Sequence, residues 1–180
     1  LYVHDHLLPF GTLRDLPAES ARANAVVVTK CPKTMQPIDR RIVSNSLRLA
    51  SYQHLYYSSI GYAPLCICST PLLVAGIANP APLLEHLRQS FADTELLAFA
   101  DHRNFTKADI KLILTKAEQY EHVVTTEKDY MRMQHTPLIE ALGEKLHVLP
   151  IQTDLGIDKD AFDRQILLYV SESNRKRSTL

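Results

Sequence analysis

Leu96-Leu97-Ala98-Phe99-Ala100-Asp101-His102-Arg103-Asn104-Phe105-Thr106 is the stretch on which the fold turns. A short apolar run reads as a buried strand and switches abruptly to Asp-His-Arg. Thr106, followed three residues later by Asp109, resembles a capping box with Asp in place of the usual Glu, so a helix starts just after it. Asp101 and His102 therefore fall at the carboxyl end of a strand, where open α/β sheets place ligand chemistry. Taken alone, the same residues also describe a solvated loop that holds an Asp-His pair. The rest of the chain has to decide.

Outward from that stretch, strand and helix signals alternate. Ala25-Val26-Val27-Val28-Thr29-Lys30 is a β-branched run of the buried parallel type, ended by Cys31-Pro32. Pro37 opens a helix to about Ala50, with Ile38, Ile42 and Leu49 near one face. Leu55 to Ser59 is the next strand, its aromatic pair read as packing. Residues 64–71 are a connection, and Leu72 to Ala78 is the most hydrophobic strand. Asn79 and Pro80 start a helix with a Leu83, Leu84, Leu87, Phe91 stripe. Gly76 reads as a close-packing position. After Thr106 a helix with Ile110, Ile113, Leu114 and Ala117 inward leads to the strand His122 to Thr126. Glu127-Lys128-Asp129 then enters a helix through Met133, and Pro137 restarts it. Leu146 to Ile151 is a last strand, and Asp158 caps a final helix with Phe162, Ile166, Tyr169 and Val170 on one side. This alternation predicts an α/β fold with a mainly parallel sheet flanked by helices.

Lysine plus arginine equals aspartate plus glutamate, 20 each, so bulk electrostatic binding to nucleic acid is not expected. The three cysteines, Cys31, Cys66 and Cys68, form no zinc-knuckle spacing and read as free thiols of a reducing compartment. The eight histidines are scattered, and spacing alone supplies no metal-ligand set. No apolar run reaches the roughly 18 residues that span a bilayer. Arg175-Lys176-Arg177-Ser178 reads as a solvated basic terminus. The chain opens at Leu1 and reads as a piece of something longer.

Five segments occur in order: Leu7-Leu8-Pro9-x-Gly11-x-Leu13-Arg14, Val28-Thr29-Lys30-Cys31-Pro32, Ala75-Gly76-Ile77-Ala78-Asn79-Pro80, Phe99-Ala100-Asp101-His102 and Val124-Thr125-Thr126-Glu127-Lys128-Asp129. This series resembles the tetraacyldisaccharide 4'-kinases of lipid A biosynthesis, from Leu7 to about Met133. The resemblance implies a P-loop kinase at the cytoplasmic face of the bacterial inner membrane, peripheral to it. Such an enzyme moves the γ-phosphoryl of ATP to the 4'-hydroxyl of tetraacyldisaccharide 1-phosphate, with Mg2+. It places the catalytic histidine at His102 beside Asp101, and a substrate-binding arginine at Arg14. Lys30 and Lys128, which also follow strands, are possible ligand contacts. The family pattern is departed from in two places: Asp15-Leu16 stands for Glu-Pro after Leu13-Arg14, and Arg103 stands for a second histidine.

The 180 residues contain no G-x-x-x-x-G-K-[ST] loop. The expected organisation is therefore residues 1–69 as the end of a nucleotide-binding P-loop kinase domain and residues 70–180 as a second α/β domain, the final helix packing back on the first. ATP and Mg2+ would be held mainly by a preceding half, and no metal is assigned to this chain. Alone, the piece is expected to be inactive and, with an open sheet edge, prone to aggregate. The competing reading is a non-catalytic α/β binding or regulatory domain. A metal hydrolase built on His102 has no supporting ligand set.

Overall fold

The computed structural model describes residues 1–101 and 104–177, with side chains described as far as residue 172. Short 3-10 turns at Tyr2–His4 and Pro17–Arg22 precede β1 (Ala25–Val28), α1 (Pro37–Leu47), β2 (His54–Tyr57) and β3 (Ser59–Tyr62). Next come β4 (Leu72–Ala75), α2 (Ala81–Arg88), β5 (Glu95–Ala98), α3 (Lys107–Ala117) and β6 (Val123–Thr126). Then follow α4 (Glu127–Met133), α5 (Leu138–Leu142), β7 (Leu146–Leu149), β8 (Ile151–Asp154) and α6 (Lys159–Arg177). Two compact units result: Leu1–Gly61 with Thr153–Leu180, and Tyr62–Gln152. These bounds differ from the 1–69 and 70–180 division expected from sequence, because α6 is grouped with the first unit and residues 62–69 with the second.

The second unit is built on a four-stranded parallel sheet of order β5-β4-β6-β7. Successive residues of a strand point to opposite faces, and the core splits accordingly. Leu72, Val74 and Val123 meet Ile113 and Ala117 of α3, Met133 of α4, and Leu138 and Leu142 of α5. Leu73, Ala75, Val124 and Leu149 meet Leu83 and Leu87 of α2. Four consecutive residues of β4 are fully buried, which is why its sequence is unbroken apolar rather than alternating. Each such leucine or valine stabilises the fold by about 1.5–3 kcal/mol. The capping box at Thr106 forms as expected: the Asp109 amide donates to Thr106 Oγ1 at 3.2 Å, and the Thr106 amide donates to Asp109 Oδ2 at 2.8 Å.

In the first unit, β1 and β2 pair in parallel, Ala25 opposite His54 through Val28 opposite Tyr57. Arg40 Nη1 donates to both carboxylate oxygens of Asp158, at 3.1 and 3.0 Å, and its guanidinium lies 4.6 Å over the Tyr57 ring. The Tyr57 amide donates to Asp158 Oδ2 at 2.9 Å. Burial pushes the Tyr57 phenol above its ordinary value, against the opposing pull of the Arg40 charge. Phe162 of α6 packs edge-on against Tyr56, ring centroids 5.2 Å apart.

This cluster corrects three expectations. Ile38 and Ile42 are 61% and 60% exposed, not inward. Each lies two residues from Arg40, about 200° around the helix, so turning Arg40 to Asp158 turns both isoleucines away. Leu47, two full turns beyond Arg40, is the buried residue of α1. Asp158 does not serve as a simple cap, since its carboxylate is taken by Arg40 and Tyr57. On α6 only Phe162 of the expected stripe packs inward; Ile166, Tyr169 and Val170 are exposed. The strand after Leu146 is also two strands, β7 and β8, parted at Pro150, and Arg175 to Arg177 continue α6 instead of forming a coil.

Candidate functional site

In the sheet order β5-β4-β6-β7 the chain leaves β4 toward one side and leaves β6 toward the other. The order therefore reverses between β4 and β6, and ligands of open α/β sheets bind beyond the carboxyl ends at such a reversal. Gly76 follows β4 there, and Glu127 to Asp129 follow β6.

Asp129 is fully buried, and its oxygens are occupied. Oδ2 accepts from the Gly76 amide at 2.9 Å and from Thr126 Oγ1 at 2.7 Å. Oδ1 accepts from Arg132 Nη1 at 3.1 Å. Arg132 Nη1 also donates to the Gly76 carbonyl at 2.9 Å, so one guanidinium ties the end of β4 to α4. From there the network reaches the end of β5. Lys128 Nζ donates to Asp101 Oδ1 at 2.8 Å, and Arg132 Nη2 lies 3.8 Å from the same oxygen.

The local sequence explains the placement. Thr126 ends β6 in extended backbone and caps α4, its Oγ1 accepting from the Asp129 amide at 3.1 Å. That fixes the first turn of α4, and Arg132 falls three residues after Asp129 on the same face. Gly76 is required by this closeness. A Cβ there would lie 3.0 Å from Asp129 Oδ1 and 3.5 Å from Arg132 Nη1. Asp129 is too firmly held to yield, so Gly76→Ala is expected to destabilise the second unit by about 1–3 kcal/mol, read as a lower urea midpoint. An unchanged midpoint would show that the carboxylate can move.

Of the residues singled out in the sequence, Asp101 and Lys128 are brought into direct contact. His102 lies outside the described residues. Arg14 and Lys30 belong to the first unit. Arg14 is exposed on the wall of a cleft of about 310 Å³, shared with Tyr2, Leu16, Glu19 and Arg22. Lys30 is exposed just beyond β1 with φ +58°, a left-handed conformation uncommon for a residue with a side chain. Arg132 was missed from sequence, since an arginine within a short helix gives no signal of its long-range partner. Asp129 stood in a quoted motif, but its burial could not be read there.

Parallel strands, helices on both faces and a charged cluster at the order reversal define an open-sheet α/β protein of the kind that handles ligands at its strand ends. The family model described as tetraacyldisaccharide-1-P 4'-kinase matches residues 2–171. The chain is 36% identical to a tetraacyldisaccharide 4'-kinase of Bacteroides thetaiotaomicron over 99% of its own length and 54% of the relative's. It is 35% identical to one of Flavobacterium johnsoniae, over 96% of its length and 52% of the relative's. A Porphyromonas gingivalis enzyme of the same name is 31% identical over 87% and 49%. The chain belongs to the tetraacyldisaccharide-1-P 4'-kinase family, and it spans about half the length of the curated relatives it matches.

Proposed function

We propose that this chain is the acceptor-side part of a lipid A pathway kinase. The complete protein transfers the γ-phosphoryl of ATP to the 4'-hydroxyl of tetraacyldisaccharide 1-phosphate. The observation that carries this reading is the family match across residues 2–171, which takes in all five of those segments. In phosphoryl transfer the protein positions the groups, stabilises charge and removes the acceptor proton. We assign that proton to His102, since an imidazole can accept a proton near neutral pH. Asp101 is assigned a positioning role: its pairing with Lys128 and Arg132 anchors the loop from which His102 follows.

Among the described residues, the two acids at the order reversal do not fit a Mg2+ or triphosphate site. Asp129 has its oxygens taken by Gly76, Thr126 and Arg132, Asp101 is paired with cations, and no Gly-rich loop ending in Lys-Ser or Lys-Thr occurs. Nucleotide and metal binding are therefore assigned to the part of the relatives' length that this chain does not span. The acylated substrate places the complete protein at the inner-membrane surface, on its cytoplasmic side. Among the described residues no helix is long and apolar enough to cross a membrane, which agrees with a peripheral attachment. Zero net charge gives no support to a nucleic-acid partner.

Arg14 is assigned to an anionic group of the substrate, which its planar fork suits. In the complete protein Arg14→Ala is expected to raise the KM for the disaccharide lipid roughly tenfold or more, the loss of one charge-assisted contact. Unchanged kinetics would return Arg14 to an ordinary surface role. The function itself is tested by ATP-dependent phosphorylation of tetraacyldisaccharide 1-phosphate. If the complete protein binds the glycolipid without phosphorylating it, the chain is a binding module.

A further inference from the structure

At the opposite end of the same sheet, the amino ends of β4 and β6, three metal-ligating side chains converge. Cys68 lies in the segment leading into β4, and Glu121 and His122 immediately precede β6. The Leu72 amide donates to the His122 carbonyl at 2.9 Å, which fixes the two segments side by side. Cys68 Sγ lies 3.4 Å from His122 Nε2, and the ligand atoms of Cys68, Glu121 and His122 lie within 4.8 Å of one another. Sulfur and nitrogen bound tetrahedrally to zinc, at about 2.3 and 2.05 Å, stand about 3.5 Å apart. The Cys68–His122 pair already has that spacing. Bringing the carboxylate to it takes a movement of about 1 Å, open to the exposed side chains of Cys68 and Glu121.

The surroundings are those of a ligand set. His122 Nδ1 is 3.0 Å from His147 Nε2 on the neighbouring strand β7. Both the thiol and the backbone amide of Cys68, the latter at 3.5 Å, face His122 Nε2. The Cys68 amide donates to Nε2, which marks it as the lone-pair nitrogen and leaves the proton on Nδ1, directed at His147. Metal-bound histidines characteristically donate their second ring nitrogen to such an acceptor. Ser69 Oγ donates to Glu121 Oε2 at 2.8 Å and orients the carboxylate in the same way. All three cysteines are free thiols, so Cys68 is not committed to a disulfide.

We propose that Cys68, Glu121 and His122 bind a thiophilic divalent cation, zinc by its ligand chemistry, with water in the fourth position. His147 and Ser69 are positioning residues. Binding converts the Cys68 thiol to thiolate and releases its proton to solvent. The ion clips together two segments that are 54 positions apart, Cys68 and His122, at the amino ends of the strands. Its role is structural, and the site stands independently of the kinase reading.

The test is a Co2+ titration of the chelator-stripped complete protein, carrying no histidine tag, followed by displacement with Zn2+. One Co2+ per chain is expected, with a near-ultraviolet thiolate-to-cobalt band and tetrahedral visible absorption. Cys68→Ser abolishes the band, and Cys66→Ser leaves it intact. Glu121→Gln and His147→Gln keep the band and weaken Zn2+ binding roughly 10- to 100-fold. Zn2+ raises the unfolding midpoint of the parent chain and not that of Cys68→Ser, which also shows whether that exposed variant is folded. No band, a band surviving in Cys68→Ser, or one lost in Cys66→Ser would overturn the assignment.

Discussion

His102→Ala in the complete protein is expected to lower kcat by a factor on the order of 10² or more, with little change in the KM for ATP. The expectation follows from where the sequence puts the residue. His102 comes directly after Asp101, at the end of β5. Asp101 is held there by Lys128 at 2.8 Å, with Arg132 at 3.8 Å. Near-normal kcat would remove His102 from the mechanism.

Asp129→Ala is expected to destabilise the chain by about 3–5 kcal/mol, the usual cost of removing one partner of a buried ion pair. Asp129 is 0% exposed, and its loss would leave the Gly76 amide and the Thr126 hydroxyl without their acceptor and take the nearest carboxylate from Arg132. Urea unfolding followed by circular dichroism measures it. If the alanine variant cannot be purified, Asp129→Asn serves instead. Asn keeps an acceptor for Gly76 but turns an amide donor toward Arg132 or Thr126, and a loss of about 1–3 kcal/mol follows. A change below about 0.5 kcal/mol in either variant, the scale of an ordinary surface substitution, would contradict the network's structural role.

Local signals in the sequence carried much of this fold. The Thr106–Asp109 capping box, the helix restart at Pro137 and the apolar runs of β4 and β6 are short-range features, and each stands where expected. What went astray depended on distant partners. The inward face of α1 is chosen by Arg40, whose carboxylate partner Asp158 is 118 positions away. Ile38 and Ile42 looked like core because hydrophobic spacing carries no information about an ion pair formed so far along the chain.

The site divides along the same line. Asp101 and Lys128 stood out as polar residues at strand ends, and the fold brings them together. Arg132 did not stand out, because its role comes from the 2.9 Å contact to the Gly76 carbonyl, 56 positions away. Gly76 was read as a close-packing glycine, and the group that approaches it is the buried carboxylate of Asp129 on α4. Cys68 and His122 showed no metal spacing for the same reason: their proximity is created by the pairing of β4 with β6.

The central claim is tested most directly by incubating the complete protein with tetraacyldisaccharide 1-phosphate and ATP labelled at the γ-phosphate. Label is expected on the 4'-position of the lipid, and its loss in His102→Ala with ATP binding retained. A complete, folded protein that binds ATP and the lipid yet transfers no label, or that transfers it equally well without His102, would contradict it.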